Sequence, residues 1–466
     1  MRLPQVFLDH LLGVPVGHAM KVEDIRNRDA HRIVVHQTDV ILFLSPLPMK
    51  RITACLALAV LLAAAVCAQP AVERPDQQLF QEIEAIVADL GQITGLKLTK
   101  PLRHDLIGRN EVKQFLEQRI KEEVKPEELR AEELTLKKFG FVPEDFDLKQ
   151  TTIELLTEQA AALYDYRKKR LYVLDSSSST MQQVALVHEL AHALADQRFN
   201  LEKFIARAGE SDDGAMARLA VMEGQATWLM SEYLARRMGM SLKTSPAIAQ
   251  YMSQQAGTTG GQFPVFDRAP LYIRETLIFP YTKGMLFQHV IVEKEGQAGF
   301  SSVFSRPPVS TQQILHPEKY FAGVKPTEPA LPRLISQGDF RVLMAGSIGE
   351  LDHSILLRQY AGPKEAEEVA PLWKGGSYRL LEHKKSRRAV LAYSSEWQDP
   401  VVAKRFFELY RGVLKGKWKG LEVDAERDGY LAGRGDDGHF ILRLSGDVVT
   451  CLQGMGSLSE AREGLR

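Results

Sequence analysis

The run His188-Glu189-Leu190-Ala191-His192 holds the residues best suited to chemistry. Two histidines four positions apart on a helix lie one turn apart and point the same way. Both imidazoles can then reach one metal ion, with Zn–N bonds of about 2.0–2.1 Å. Glu189 projects beside them, badly placed as a third ligand but able to take a proton from a metal-activated water. A catalytic zinc takes three protein ligands and keeps one position for water. A third histidine six residues past His192 would complete such a set, but Arg198 stands there, and Ala195 stands where its accompanying glycine would be. Glu223 is the better third ligand. It shares a helical face with Met216, Leu219, Ala220, Ala226, Thr227 and Met230. A carboxylate buried on that face is costly unless it is paired or binds a metal. The rivals are less apt: Glu210, Asp212 and Asp213 fall in a charged loop, and Glu232 falls off the apolar face. Asp196, one turn past His192, can orient a ligand imidazole or buttress the helix, or simply be solvated near a helix end.

These residues need elements to hold them. Apolar spacing at Val184, Val187, Leu190, Ala191 and Leu194 predicts a helix over Thr180–Phe199, and a second strong helix follows over Gly214–Met238. Ahead of the motif, Ala162–Tyr166 and Arg170–Leu174 are short β-rich runs joined by Arg167-Lys168-Lys169, the pattern of a hairpin. Earlier helices are expected at Gln78–Leu90, Arg109–Glu123, Pro126–Phe139 and Asp147–Leu163. Past the break at Gly257–Gly261, two or three helices run to Phe304. Six prolines within 305–335 mark an irregular connection. Beyond it, Ser377–Glu382, Ala389–Ser394, Leu421–Asp424, Tyr430–Gly433 and His439–Leu444 read as strands, and Val401–Leu414 as an amphipathic helix. The fold class is α+β, mainly helical, ending in a small α+β domain.

The motif His188-Glu189-Leu190-Ala191-His192, with Asp196 and then Glu223-Gly224 on a later helix, resembles the gluzincins, the thermolysin-like zinc metallopeptidases. Phe279-Pro280-Tyr281 and the stretch Ser310–Tyr320 are similar to those of a group of exported bacterial proteins of this kind. The resemblance implies Zn²⁺ held by His188, His192 and Glu223, with Glu189 as general base. It also implies an edge strand above a cleft that binds an extended peptide by strand addition, supplied by residues 161–166 or 170–174. Oxyanion donors come from outside the metal helices in such enzymes. The candidates are His316 and Tyr281, then Tyr320 and His289. The chain departs from thermolysin in the 30 residues between His192 and Glu223 (193–222) and in its C-terminal region. The implied division is an N-terminal helical region over 69–160, a zinc metallopeptidase core over 161–325 and an α+β domain over 335–466.

The remaining signals concern location and partners. Ile52–Val66 is an apolar run after Lys50-Arg51, closed by small residues at Ala68, which is the pattern of a signal peptide over 49–68. Met49 suits its start, so residues 1–48 read as a non-native upstream extension. The exported part is then secreted or periplasmic, without a stable membrane span; lipidation of Cys67 is a second choice because Val66 precedes it. Residues 69–466 keep one cysteine, Cys451, in an apolar run, so no internal disulfide can form there. Lys+Arg 59 against Asp+Glu 59 gives no net charge, which argues against nucleic acid as a partner. The expected function is peptide-bond hydrolysis on a peptide or protein substrate. The alternative is a non-catalytic exported binding or assembly protein on the same scaffold, and 335–466 is the expected place for a partner to bind.

Overall fold

The computed structural model describes residues 76–108, 125–158, 162–174, 179–256 and 263–461, apart from 167 and 210, together with 41–43, 57–59, 111 and 114. Within the first 75 residues this leaves two short strands, β1 (Ile41–Phe43) and β2 (Ala57–Ala59), paired antiparallel. The rest of the upstream extension and of the expected signal peptide, and the cleavage site, lie outside the described residues. So does most of the helix expected at Arg109–Glu123.

The fold is α+β, with a mostly helical N-terminal part and a C-terminal antiparallel sheet. The principal helices are α1 (Asp76–Thr94), α2 (Pro126–Phe139), α3 (Leu148–Glu158), α4 (Ser179–Phe199), α5 (Asp212–Arg237) and α6 (Leu271–Glu295). In the C-terminal part α7 (Glu350–Tyr360) and α8 (Pro400–Lys417) complete the set. The α3 helix does not reach the expected Leu163, because Ala162 already begins a strand.

A three-stranded sheet lies before α4, in the order β3-β5-β4. β4 (Ala162–Asp165) and β5 (Arg170–Leu174) form the expected hairpin, and β3 (Arg103–Ile107) adds parallel to β5. β5 is therefore central and β4 is an edge strand. The centre of the helical part is α4, α5 and α6. Two glycines let α5 and α6 touch: a Cβ on Gly224 would fall 2.1 Å from the backbone carbon of Gly284, and one on Gly284 would fall 2.2 Å from the Ala220 carbonyl oxygen. Any side chain at either position would push the helices apart.

The C-terminal sheet has seven strands in the order β6-β7-β8-β12-β11-β10-β9, with every neighbour pair antiparallel. They are β6 (Phe340–Ser347), β7 (Trp373–His383), β8 (Ala389–Trp397), β9 (Glu422–Arg427), β10 (Tyr430–Gly435), β11 (Gly438–Ser445) and β12 (Val448–Met455). Each strand expected from the sequence is there. Cys451 lies buried in β12, with its thiol free. The α8 helix buries Ala403, Phe406, Phe407, Tyr410, Val413 and Leu414, one apolar stripe at helical spacing, against the sheet. Phe406 stacks on Trp397 of β8 at 4.1 Å between ring centres.

The two parts meet at the first turn of α5. Ser211 caps that helix by accepting the Gly214 amide at 2.9 Å, and Asp212 and Asp213 follow, where acidic groups suit the helix dipole. Tyr378 of β7 donates to Asp212 Oδ2 at 2.9 Å, and the Asp213 amide donates to Ser347 Oγ at 3.1 Å. A Cβ on Gly346 would fall 2.0 Å from Asp212 Oδ2, and one on Gly349 would fall 1.8 Å from Asp213 Oδ1. Among the described residues, no helix is long and apolar enough to cross a membrane.

Candidate metal centre

His188 and His192 project from one face of α4, and Glu223 from α5 meets them. His188 Nε2 lies 3.1 Å from Glu223 Oε2, His192 Nε2 lies 3.3 Å from the same oxygen, and the two imidazole nitrogens are 3.0 Å apart. Four tetrahedral ligands at 2.0–2.1 Å from a zinc ion would stand about 3.3 Å from one another. The triangle is close to that size. Glu223 Oε1 and His188 Nδ1 are buried and have no hydrogen-bond partner. Three ligand atoms of the right kind, His188 Nε2, His192 Nε2 and Glu223 Oε2, converge on one point, and the group can hold a metal ion.

Charge supports this. Burial lowers the pKa of His188 to about 4, so the ring is neutral at pH 7 with a lone pair to give. Burial alone would raise Glu223. The charge of His192 and hydrogen bonds from both imidazoles outweigh it and bring the carboxyl down to about 2. A neutral imidazole beside an ionised carboxylate is a donor set for a divalent cation. Glu189 is different. Burial and the nearby Glu223 charge push it well above the usual carboxylate range, against the Tyr164 amide, which favours the ionised form. A divalent charge in the triangle opposes that rise.

Tyr164 of β4 donates its backbone N–H to Glu189 Oε2 at 2.6 Å, while Glu189 Oε1 is buried without a partner. One oxygen is thus fixed and the other is not. The Tyr281 ring lies 6.1 Å from that of His188, centre to centre. Its buried hydroxyl makes no well-aligned hydrogen bond, but burial, then the charge of Glu223 and a loose hydrogen bond to it, then the charge of Glu189, hold it well above the usual phenol range. It is one turn before Gly284, so the glycine contact between α5 and α6 brings it to Glu223. Pro280 precedes it inside α6 and lacks the N–H of a regular helix turn.

The other expected residues lie elsewhere. His316 Nε2 is 2.7 Å from Glu350 Oε1, so this imidazole is engaged at the contact with the C-terminal part. Tyr320 donates to the Arg306 carbonyl at 2.8 Å. His289 accepts from Trp228 Nε1 at 3.3 Å. Glu232 is buried as well as Glu223, against expectation, but it is satisfied: it accepts from Leu242 N at 2.7 Å, Ser241 Oγ at 2.8 Å and Arg236 Nε at 2.8 Å. Asp196 buttresses rather than being solvated. Its carboxylate takes Lys169 Nζ at 2.7 Å, the Tyr164 hydroxyl at 2.9 Å and the Leu201 amide at 3.0 Å. Sequence reasoning overlooked Tyr164, Lys169 and Gly284. A main-chain donor such as the Tyr164 amide has no residue-type signature. Gly284 inside a helical pattern was the one readable signal, since such a glycine usually has a packing reason.

Comparison with known proteins adds one finding. A family profile described as "Domain of unknown function (DUF8575)" matches residues 340–463. That is the C-terminal sheet, and it leaves out the candidate metal centre. No curated protein and no solved structure matches the chain.

Proposed function

We propose that the protein is a zinc-dependent metallopeptidase. The observation that carries this is the pairing of a three-ligand triangle with a separate buried carboxylate, Glu189, one of whose oxygens is unspent. A purely structural metal site has no need of such a base. A zinc ion held by His188, His192 and Glu223 would polarise a scissile carbonyl and acidify a water. Glu189 Oε1 receives the water's proton and returns it to the leaving amine. Its other oxygen stays on the Tyr164 amide, so the carboxylate does not have to reorient between the two transfers. The Tyr281 hydroxyl is the donor for the developing oxyanion, in place of His316, which Glu350 engages. As the edge strand, β4 is the one to pair with an extended substrate. The export reading belongs to the same proposal, and N-terminal sequencing of the native protein tests it: a peptide from residues 1–48 would refute the late start.

One observation favours a second reading. His188, Glu189, His192 and Glu223 are each 1% exposed or less. A centre so covered also suits a non-catalytic exported binding or assembly protein. Elemental analysis of residues 69–466, with and without Glu223→Ala, separates the cases together with turnover of a quenched fluorescent peptide library. About one zinc per chain, lost in the variant, with metal-dependent cleavage, is the expected result. Zinc without cleavage leads to the second reading, and no zinc refutes the proposal.

A further inference from the structure

Glu189 and Asp196 stand seven residues apart on α4, two turns on the same face and roughly 10 Å along the axis. One residue of the neighbouring strand bridges them. Tyr164 gives its amide to Glu189 Oε2 at 2.6 Å and its hydroxyl to Asp196 Oδ2 at 2.9 Å. Tyr164 and both carboxylates are buried. Asp196 is itself held from a third side by Lys169 at the hairpin turn, 2.7 Å away. Lys169 adopts a left-handed backbone with φ 53°, a conformation unfavourable for a non-glycine residue. The turn is thus bent into an unfavoured shape where its side chain meets Asp196. Every bond in this chain ties the edge strand to the face of α4 that carries the motif.

We infer that Asp196 is a positioning residue for Glu189, acting through Tyr164. Asp196 fixes the phenol, the phenol fixes the lateral position of β4, and the β4 amide then holds one carboxylate oxygen of Glu189 and turns the other free. This differs from orienting a ligand imidazole, because the bonds of Asp196 run to the strand. It rests on the peptidase reading only for its effect on turnover. Its effect on the strand stands without it.

The test uses the full chain with Tyr164→Phe, which deletes one oxygen and leaves Asp196 paired with Lys169 and Leu201. Asp196→Asn is the conservative companion, keeping an acceptor for the phenol. Hydrogen exchange of the peptide containing residue 164 is read first, because local protection follows the strand's opening equilibrium. Tyr164→Phe is expected to raise exchange of that amide roughly tenfold, and Asp196→Asn less, with zinc content unchanged. In turnover, kcat is expected to fall about tenfold with KM within about twofold, since a misplaced group costs rate more than affinity. Wild-type exchange in Tyr164→Phe would overturn the inference whether or not the protein cleaves peptides. So would a joint fall of zinc content, kcat and affinity, which marks general loosening. Exchange raised with no cleavage even in the wild type would keep the strand tether and refute the peptidase reading instead.

Discussion

His188 in the helical part and His353 in the C-terminal part are both fully buried, and burial brings each down to about 4. Their surroundings are opposite. His353 donates from Nδ1 to the Gly349 carbonyl at 2.7 Å and accepts the Tyr393 hydroxyl on Nε2 at 2.6 Å, so both ring nitrogens are used. Trp373, Trp397 and Phe406 surround it. His188 has an unpartnered Nδ1, and its Nε2 faces another imidazole and a carboxylate. A buried histidine with both nitrogens satisfied belongs to the architecture. One whose lone pair converges with others on a common point is arranged for something the chain does not itself supply. Burial and pKa direction do not distinguish the two; hydrogen-bond satisfaction does.

The largest effect that could break this contrast is on turnover. Glu189→Gln is expected to keep the metal and lower kcat by about 10³-fold, within the range for loss of a general base, in a peptide-cleavage assay with parallel zinc analysis. Near-wild-type cleavage would remove Glu189 from the mechanism. Gly284→Val should come next. Its side chain would strike the Ala220 carbonyl, part α5 from α6 and cost about 3 kcal/mol of stability by denaturant titration. It should lower zinc affinity as well, because Glu223 rides on α5.

The C-terminal histidine gives a pH prediction of similar size. An unfolded histidine takes up a proton near pH 6.5, whereas His353 stays neutral down to about pH 4. Between those values the unfolded chain binds more protons, so stability falls as pH falls. The loss from this residue is about 3 kcal/mol across the window, and unfolding curves of His353→Gln should lack that share of the slope. The smallest effect is that of the metal. Zinc at a hundred times its dissociation constant should stabilise the wild type by about 2.7 kcal/mol and Glu223→Ala by much less. An equal zinc response in the two would place the ligand set elsewhere.

The convergence of His188, His192 and Glu223 was legible because helix geometry is local. Spacings of four along α4, and a carboxylate on the apolar face of α5, are properties of single elements. The hairpin was legible from alternation within Ala162–Leu174. β3 was not: Arg103-His104-Asp105 has no apolar alternation, and its parallel pairing with β5 spans more than sixty residues. The choice between Tyr281 and His316 was likewise beyond sequence. Each lies in a plausible segment, and it takes the contact of Gly224 with Gly284 on one side, and Glu350 on the other, to place each side chain. Glu232 was misread for a related reason. Its burial depends on the turn at Ser241-Leu242 folding back onto α5.

The glycines at 346 and 349 leave no room for even a methyl group between the C-terminal sheet and the start of α5. That fit has a consequence for descent. A domain joined by a loose linker can be exchanged between genes and keep its surface intact. This one is keyed to the first turn of the rod that, three turns on, carries Glu223. Substitutions at Asp212, Asp213, Gly346 and Gly349 should therefore be inherited together, and the sheet should travel with its own helical half.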